Sequence, residues 1–256
     1  MRSNEVLLNC GITMPVMGLG TYSSENDRET TELAIHMALK MGYRHFDTAK
    51  IYGSEPAVGN ALTEAILHGR VEREDIFVTS KLWGSDHHDP VSALKQTLLN
   101  MGMEYVDMYL VHWPVKLKPW ACYAVPKEED FEELEMESTW AGMEKCLDMG
   151  LCRCIGVSNF SSKKIEHLLN FASVPPAVNQ IKYTFFQILA RILFSSPIFN
   201  QNRMKENMGS FDLKLDDQDF NDIDRLEEWK IMRGEFLVNE TTSPYRTIQE
   251  LWDDEI

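Results

Sequence analysis

Three apolar segments begin at Arg44, Asp75 and Tyr105, 31 and 30 residues apart, and a stretch of helical periodicity follows the first two. A chain that alternates short strands with helices at this interval builds a parallel sheet with right-handed crossovers. Further segments keep the rhythm: residues 16–21 predict a first strand, 152–158 a fifth and 177–180 a sixth. Helices are expected over 29–41, 56–68, 90–100, 139–149 and 162–172. The second of these has Pro in its first turn and Gly just past its end. Six such strands in series favour a closed barrel over an open doubly wound sheet. No GxGxxG follows the first strand, which also counts against a Rossmann site.

In a parallel barrel the C-terminal ends of the strands share one face, where active sites sit. Asp47 and Tyr52 lie at and just past the end of the second strand, Lys81 ends the third, and His112 ends the fourth. A phenol with a pKa near 10 is a poor acid at neutral pH, and an adjacent ammonium is expected to bring it down. Asp47 can hold Lys81 charged and oriented, and His112 can direct a substrate carbonyl. Such a site suits protonation of an oxygen while a cofactor delivers hydride to carbon. Trp83 and Trp113 would give the pocket flat apolar walls. Each residue alone has an ordinary explanation in packing, solvation or capping, but four on one face are not independent. His87-His88 lacks further ligands at metal spacing, so no metal is expected.

Composition narrows the function. A net charge of -15 and pI near 4.9 argue against nucleic-acid partners. No apolar run reaches the roughly 18–20 residues that span a bilayer, and residues 1–5 lack a secretory core, so a cytoplasmic location is expected. Five cysteines with no CxxC pair suggest a reducing compartment and structural thiols. Cys152 and Cys154 alternate along a strand, so one is expected in the core.

Residues 114–137 interrupt the repeat with a long acidic loop on the active face, as a lid would. After Gln180 the pattern fails. Residues 183–199 are apolar without a clean strand-helix unit and could supply one substitute strand or helix. A short helix opens at Arg203 to Asn207, and an acidic one is expected over 217–229. Too little chain remains for strand seven and most of strand eight of a barrel of about 250 residues.

The residues that carry these readings resemble the aldo-keto reductase family. Gly42-Tyr43-Arg44-His45-Phe46-Asp47-Thr48-Ala49 with Tyr52-Gly53, Lys81-Leu82-Trp83, Leu110-Val111-His112-Trp113-Pro114 and Gly156-Val157-Ser158-Asn159-Phe160 match four of its motifs. The match runs from residue 7 to 180. The tail, Ser243-Pro244-Tyr245-Arg246 through Glu250-Leu251-Trp252-Asp253, is similar to the plant branch that contains chalcone and codeinone reductases.

The resemblance implies a (β/α)8 barrel, here a single truncated domain over residues 1–256 that reduces an aldehyde or ketone with NADPH. It assigns Tyr52 as acid, Lys81 and Asp47 as its tuners, and His112 as the group that orients the carbonyl. Gly20, Thr21, Asp47, Ser158, Asn159 and Gln180 would contact the cofactor, with Arg203 and Asn207 on its adenosine end. Tyr22, Trp83 and Trp113 would line the substrate pocket. The chain is shortened between about 181 and 199, roughly 60 residues short of the complete barrel. Where the family holds the ribose phosphate with Lys and Ser, Pro197 and Ile198 stand. The expected partner is a small carbonyl substrate, and the expected state a monomer. The alternatives are a barrel completed by a partner chain and a non-catalytic remnant.

Overall fold

The computed structural model describes residues 5–22, 27–182, 193–195, 201–212, 214–223, 225 and 230–255. An antiparallel hairpin of β1 (Glu5–Leu7) and β2 (Thr13–Pro15) comes first, followed by β3 (Met17–Gly20) and α1 (Arg28–Lys40). Then come β4 (His45–Asp47), α2 (Glu55–Leu67), β5 (Phe77–Leu82), α3 (Pro90–Met101) and β6 (Val106–Val111). The small strands β7 (Lys116–Leu117) and β8 (Phe131–Glu132) precede α4 (Met136–Asp148), β9 (Cys152–Ser158), α5 (Ser162–Leu169) and β10 (Asn179–Gln180). The chain ends with β11 (Leu193–Ser195), α6 (Gln201–Gly209), α7 (Asp217–Ile223) and α8 (Ile248–Trp252).

Seven strands form one parallel sheet in the order β10-β9-β6-β5-β4-β3-β11. Six are those expected from the sequence. The seventh, β11, comes from the region left open between strand and helix, and it pairs with the first barrel strand from Leu193↔Met17 to Ser195↔Leu19. Among the described residues no pairing joins β10 to β11, so the sheet is a curled, truncated version of the eight-stranded barrel. Pro197 and Ile198 lie outside the described residues.

Strand periodicity of two sorts the core. Phe77, Met108, Leu110 and Cys154 point to the inner side, where they meet Leu8 and Met14 of the hairpin segment. Val78, Leu82, Tyr109, Val111, Ile155 and Val157 point to the helix layer. The hairpin plugs the floor of the curl, an element not expected from the sequence.

Cys10 and Cys154 are joined there as a disulfide, with Cα atoms 6.2 Å apart. This corrects the expectation of five reduced thiols: Cys122, Cys146 and Cys152 are free. Cys152 and Cys154 are both buried, in different clusters.

Two helix ends also differ from expectation. α5 stops at Leu169, because the Ser173 and Val174 amides both donate to Glu144 Oε1 of α4, at 2.7 and 2.8 Å. α7 stops at Ile223, and residues 224 and 226–229 lie outside the description.

α2 and α3 approach most closely at Gly59. A Cβ there would lie 2.0 Å from the Met101 carbonyl oxygen. Gly59→Ala is therefore expected to lower stability by about 3 kcal/mol through overpacking, read from the urea midpoint. A change within experimental error would mean that the helices are not in this contact.

Candidate active site

The parity that sends Phe77 to the floor brings Thr79 and Lys81 to the same inner side, with Lys81 nearest the C-terminal end. By the same alternation His45 and Asp47 share the inner side of β4, and His112 follows Met108 and Leu110 beyond the end of β6. Lys81 Nζ donates to Asp47 Oδ1 at 2.6 Å and to the Thr48 carbonyl at 3.0 Å. Both residues are almost fully buried. Burial works against the charge on Lys81, but the Asp47 carboxylate, the Tyr52 oxygen and their hydrogen bonds together hold its pKa above the ordinary value.

Tyr52 closes a 3-10 turn, Lys50–Tyr52, whose outer end is clamped by Lys50 Nζ on both Asp86 oxygens at 2.7 and 2.9 Å. The phenol oxygen lies 3.3 Å from His112 Nε2, and Lys81 Nζ sits 4.8 Å from the ring centroid. Burial pushes the phenol up and Lys81 pulls it back; the net direction is up. The sequence reading had the lysine dominate. Desolvation wins instead: Tyr52 is only half-buried at the cavity wall, but its hydroxyl is packed among protein atoms. Burial, helped by the charge on Lys81, holds His112 well below the ordinary histidine range, so its imidazole is neutral.

The side wall is polar. Ser158 Oγ donates to the Gln180 carbonyl at 2.8 Å, and Asn159 Nδ2 donates to the His112 carbonyl at 2.9 Å and to Ser158 Oγ at 3.1 Å. Gln180 Nε2 donates to Asp47 Oδ2 at 3.1 Å, tying β10 across the curl to β4. Asn159 adopts φ 61°, a left-handed conformation that asparagine tolerates.

These groups face a cavity of about 390 Å³. Of the residues expected there, Gly20, Tyr22, Asp47, Tyr52, Trp83, His112, Trp113, Ser158, Asn159 and Gln180 line it. Lys81 stands behind Asp47. Thr21 does not line it: its amide and hydroxyl both donate to the Asp47 carbonyl, and the hydroxyl also bonds Ser54. Arg203 and Asn207 lie elsewhere, on α6. That helix packs on α1, and the Tyr43 hydroxyl donates to its Met204 carbonyl at 3.1 Å. Asn207 Nδ2 is buried and makes no hydrogen bond among the described residues.

Seven lining residues were not expected: Ile51, Ala124, Val125, Ile181, Lys182, Met232 and Phe236. Ala124 and Val125 come from the 114–137 loop, which the β7–β8 pairing and buried Asp130 hold in a fixed shape. Met232 and Phe236 come from the tail. Trp113 packs edge-on against Phe236 and Trp252, with ring centroids 5.8 and 6.1 Å away. Gly234, at φ +81°, lets the tail backbone lie on Trp113, where a Cβ would sit 2.8 Å from Cζ3. The Tyr245 hydroxyl donates to the Pro114 carbonyl at 3.1 Å, fastening the tail to the strand end that carries His112. His87 and His88 turn to different neighbours, Thr139 and Glu132.

A half-buried phenol, a neutral imidazole and a buried lysine–aspartate pair at an apolar cavity can hold a carbonyl oxygen and supply a proton to it. Known proteins with such a sheet bear on this arrangement. The sequence profile of the Aldo/keto reductase family matches residues 16–199. A 7-acetyl-epi-neemfruitin B aldo-keto reductase of Melia azedarach is 36% identical over 308 aligned positions, covering 96% of this chain and 95% of the relative. Deoxymugineic acid synthase 1 of Zea mays is 36% identical over 309 positions, covering 96% and 98%. With 308 positions aligned to a chain of 256 residues, at least 52 positions of the first relative have no counterpart here. The crystal structure of a Bombyx mori aldo-keto reductase in complex with NADP superposes with a TM-score of 0.76 at 26% identity, covering 88% of this chain and 93% of that one. Fold, motif positions and sequence similarity coincide, and the chain belongs to the aldo/keto reductase family.

Proposed function

We propose that the protein reduces an aldehyde or ketone to an alcohol with NADPH, with Tyr52 as the proton donor. The observation that carries this reading is the contact of the Tyr52 hydroxyl with His112 Nε2, above the buried Lys81–Asp47 pair, at the wall of one cavity. NADPH, when bound, supplies the hydride for the carbonyl carbon. Tyr52 and the neutral His112 hold the carbonyl oxygen between them, and Tyr52 gives it the proton. Lys81 favours the charge that develops on the phenol oxygen as the proton leaves, and Asp47 keeps Lys81 charged. Trp83, Trp113 and Phe236 exclude water.

The residues present suit the cofactor. Gly20, Asp47, Ser158, Asn159 and Gln180 form a polar edge for the nicotinamide end, and the orphaned amide of Asn207 with Arg203 suits the adenosine end. Thr21 acts through Asp47. The NADP complex of the Bombyx mori protein supports the same cofactor class.

NADPH at 100 times its dissociation constant should add about 2.7 kcal/mol of stability. A melt should then shift upward by roughly 5–10 °C for a chain of this size, and NADPH should be consumed when an aldehyde is added. A cooperative melt without a shift would refute cofactor binding. It would leave the second reading, a folded relative that no longer turns over, which the 52 or more unmatched positions favour. We take the protein as a monomer. A melting temperature that rises with protein concentration would instead mean that a second chain completes the sheet.

A further inference from the structure

Tyr52 is carried by a single 3-10 turn, Lys50–Tyr52, closed by the Tyr52 amide on the Ala49 carbonyl at 2.9 Å and the Gly53 amide on the Lys50 carbonyl at 3.1 Å. Ala49 has no side chain to cap it, and none of the three turn residues is fully buried. The chain is anchored on both sides of the turn. Before it, Lys81 Nζ holds the Thr48 carbonyl; after it, the Ser54 hydroxyl bonds Thr48 and Thr21, each at 2.8 Å. From the part-exposed stretch between these anchors, Lys50 reaches out to Asp86 and donates to both of its oxygens, at 2.7 and 2.9 Å.

Asp86 stands on a firm seat. It ends the 3-10 turn Gly84–Asp86, which follows Lys81-Leu82-Trp83 directly. That turn packs on the loop after β6 so closely that a Cβ at Gly84 would lie 2.8 Å from the Val115 carbonyl oxygen. Ser85 and His87, on either side of Asp86, are buried. The Asp86 amide donates to the Trp83 carbonyl at 2.9 Å, and its carbonyl accepts from the Asp89 amide at 3.1 Å. The ion pair thus ties a part-exposed turn to a tightly packed one that extends the strand bearing Lys81.

The side chains of Lys50 and Asp86 are 31% and 15% exposed. Water competes for both ions at that exposure, so the pair contributes little to global stability. The reaction is more demanding, since a misplacement of about 1 Å can cost roughly 10²-fold in rate. Tyr52 has to keep its hydroxyl 3.3 Å from His112 Nε2 and its ring 4.8 Å from Lys81 Nζ.

We infer that Lys50 and Asp86 are positioning residues, whose ion pair sets the pose of the Tyr52 turn against the end of β5 and with it the rate of proton transfer. Neither lines the cavity, so the pair acts through Tyr52. The effect on rate rests on the reductase reading; the hold on the turn is a separate quantity that needs no turnover to be read.

The test uses the whole protein. Lys50→Met and Asp86→Ala are each expected to lower kcat about tenfold, with KM for an aldehyde and the dissociation constant of NADPH within about twofold of the parent. A merely structural role would instead move the urea midpoint, which should stay near the parental value. The double variant Lys50→Met/Asp86→Ala should be no slower than either single one, because each single change already breaks the same contact. Lys50→Arg should keep at least about half of the parental kcat, because a guanidinium can meet both carboxylate oxygens. Amide hydrogen exchange reads the hold directly: the Tyr52 and Gly53 amides should exchange at least about fivefold faster in both single variants, and those of β5 at the parental rate.

A single variant with parental kcat overturns the inference. So does a loss carried by KM or by NADPH binding, a double variant whose loss is the product of the two single losses, a Lys50→Arg protein as slow as Lys50→Met, or unchanged exchange at Tyr52 and Gly53. A parent without turnover would refute the reductase reading, and hydrogen exchange would still decide whether the pair holds the turn.

Discussion

Tyr52→Phe is expected to lower kcat for carbonyl reduction by about 10²–10⁴-fold, the usual worth of a positioned general acid. The change removes one oxygen from a ring that stays packed edge-on against Tyr22 and His112, at 5.2 and 5.5 Å, so the fold and NADPH affinity should be retained. Single-turnover absorbance of NADPH reads the loss directly. A Tyr52→Phe protein with parental kcat would remove the assigned mechanism. The pH profile offers a second check. Burial raises the Tyr52 pKa above 10.0, so the donor stays protonated throughout the neutral range. His112, held well below 6.5, is neutral over the same range. The kcat of the parent should therefore be flat around neutrality and fall only when alkali removes the phenol proton.

Lys81→Met is expected to cost about 3–5 kcal/mol of stability, because it leaves the Asp47 carboxylate buried without its cation. Activity should fall with it. The double change Asp47→Asn/Lys81→Met should recover most of the stability and none of the activity, since the uncompensated charge is gone but so is the group that favours the phenolate. Urea titrations of the three variants settle the point. A single variant within about 1 kcal/mol of the parent would mean that the pair behaves like a surface ion pair. The sign with pH follows from the same groups. Lys81 and Tyr52 both have folded pKa values raised above their ordinary 10.5 and 10.0. Their contribution is fully present below those values and is lost as pH rises through the raised ones. The parent should melt at progressively lower temperature above about pH 10, and Lys81→Met should show less of that alkaline decline.

Much of the site was legible because its determinants are local. A period of two along a strand fixes which side Asp47, Lys81 and His112 take, and regular spacing of strands fixes that their ends meet. The polar groups at Ser158, Asn159 and Gln180 follow from the same rule. What escaped was set by contacts between distant parts of the chain. The hairpin at Glu5–Leu7 shows no alternation, being exposed at every position. Nothing in the spacing of Cys10 and Cys154, 144 residues apart, marks them as partners. Met232 and Phe236 reach the cavity only because Gly234 lets the tail lie on Trp113, and Lys182 stands where the periodic pattern has already ended. The direction of the Tyr52 shift was misread for a similar reason. The neighbouring lysine is visible in the motif, but the depth of burial that outweighs it is a property of the assembled core.

The inner-side register of Asp47, Lys81 and His112 also says which kinds of genetic change this protein can absorb. Deleting one residue within Phe77–Leu82 would turn Lys81 toward the helix layer and bring Ser80 or Leu82 to the mouth, however conservative the remaining sequence. Segments between strands carry no such parity, so gains or losses of length there leave the mouth composition intact. At least 52 positions of a relative, enough for whole strands, are without counterpart in this chain, yet Tyr52, Asp47, Lys81 and His112 still meet, because all four stand at or just past the ends of β4, β5 and β6. For this site the register within β4, β5 and β6 is the quantity that has to be kept.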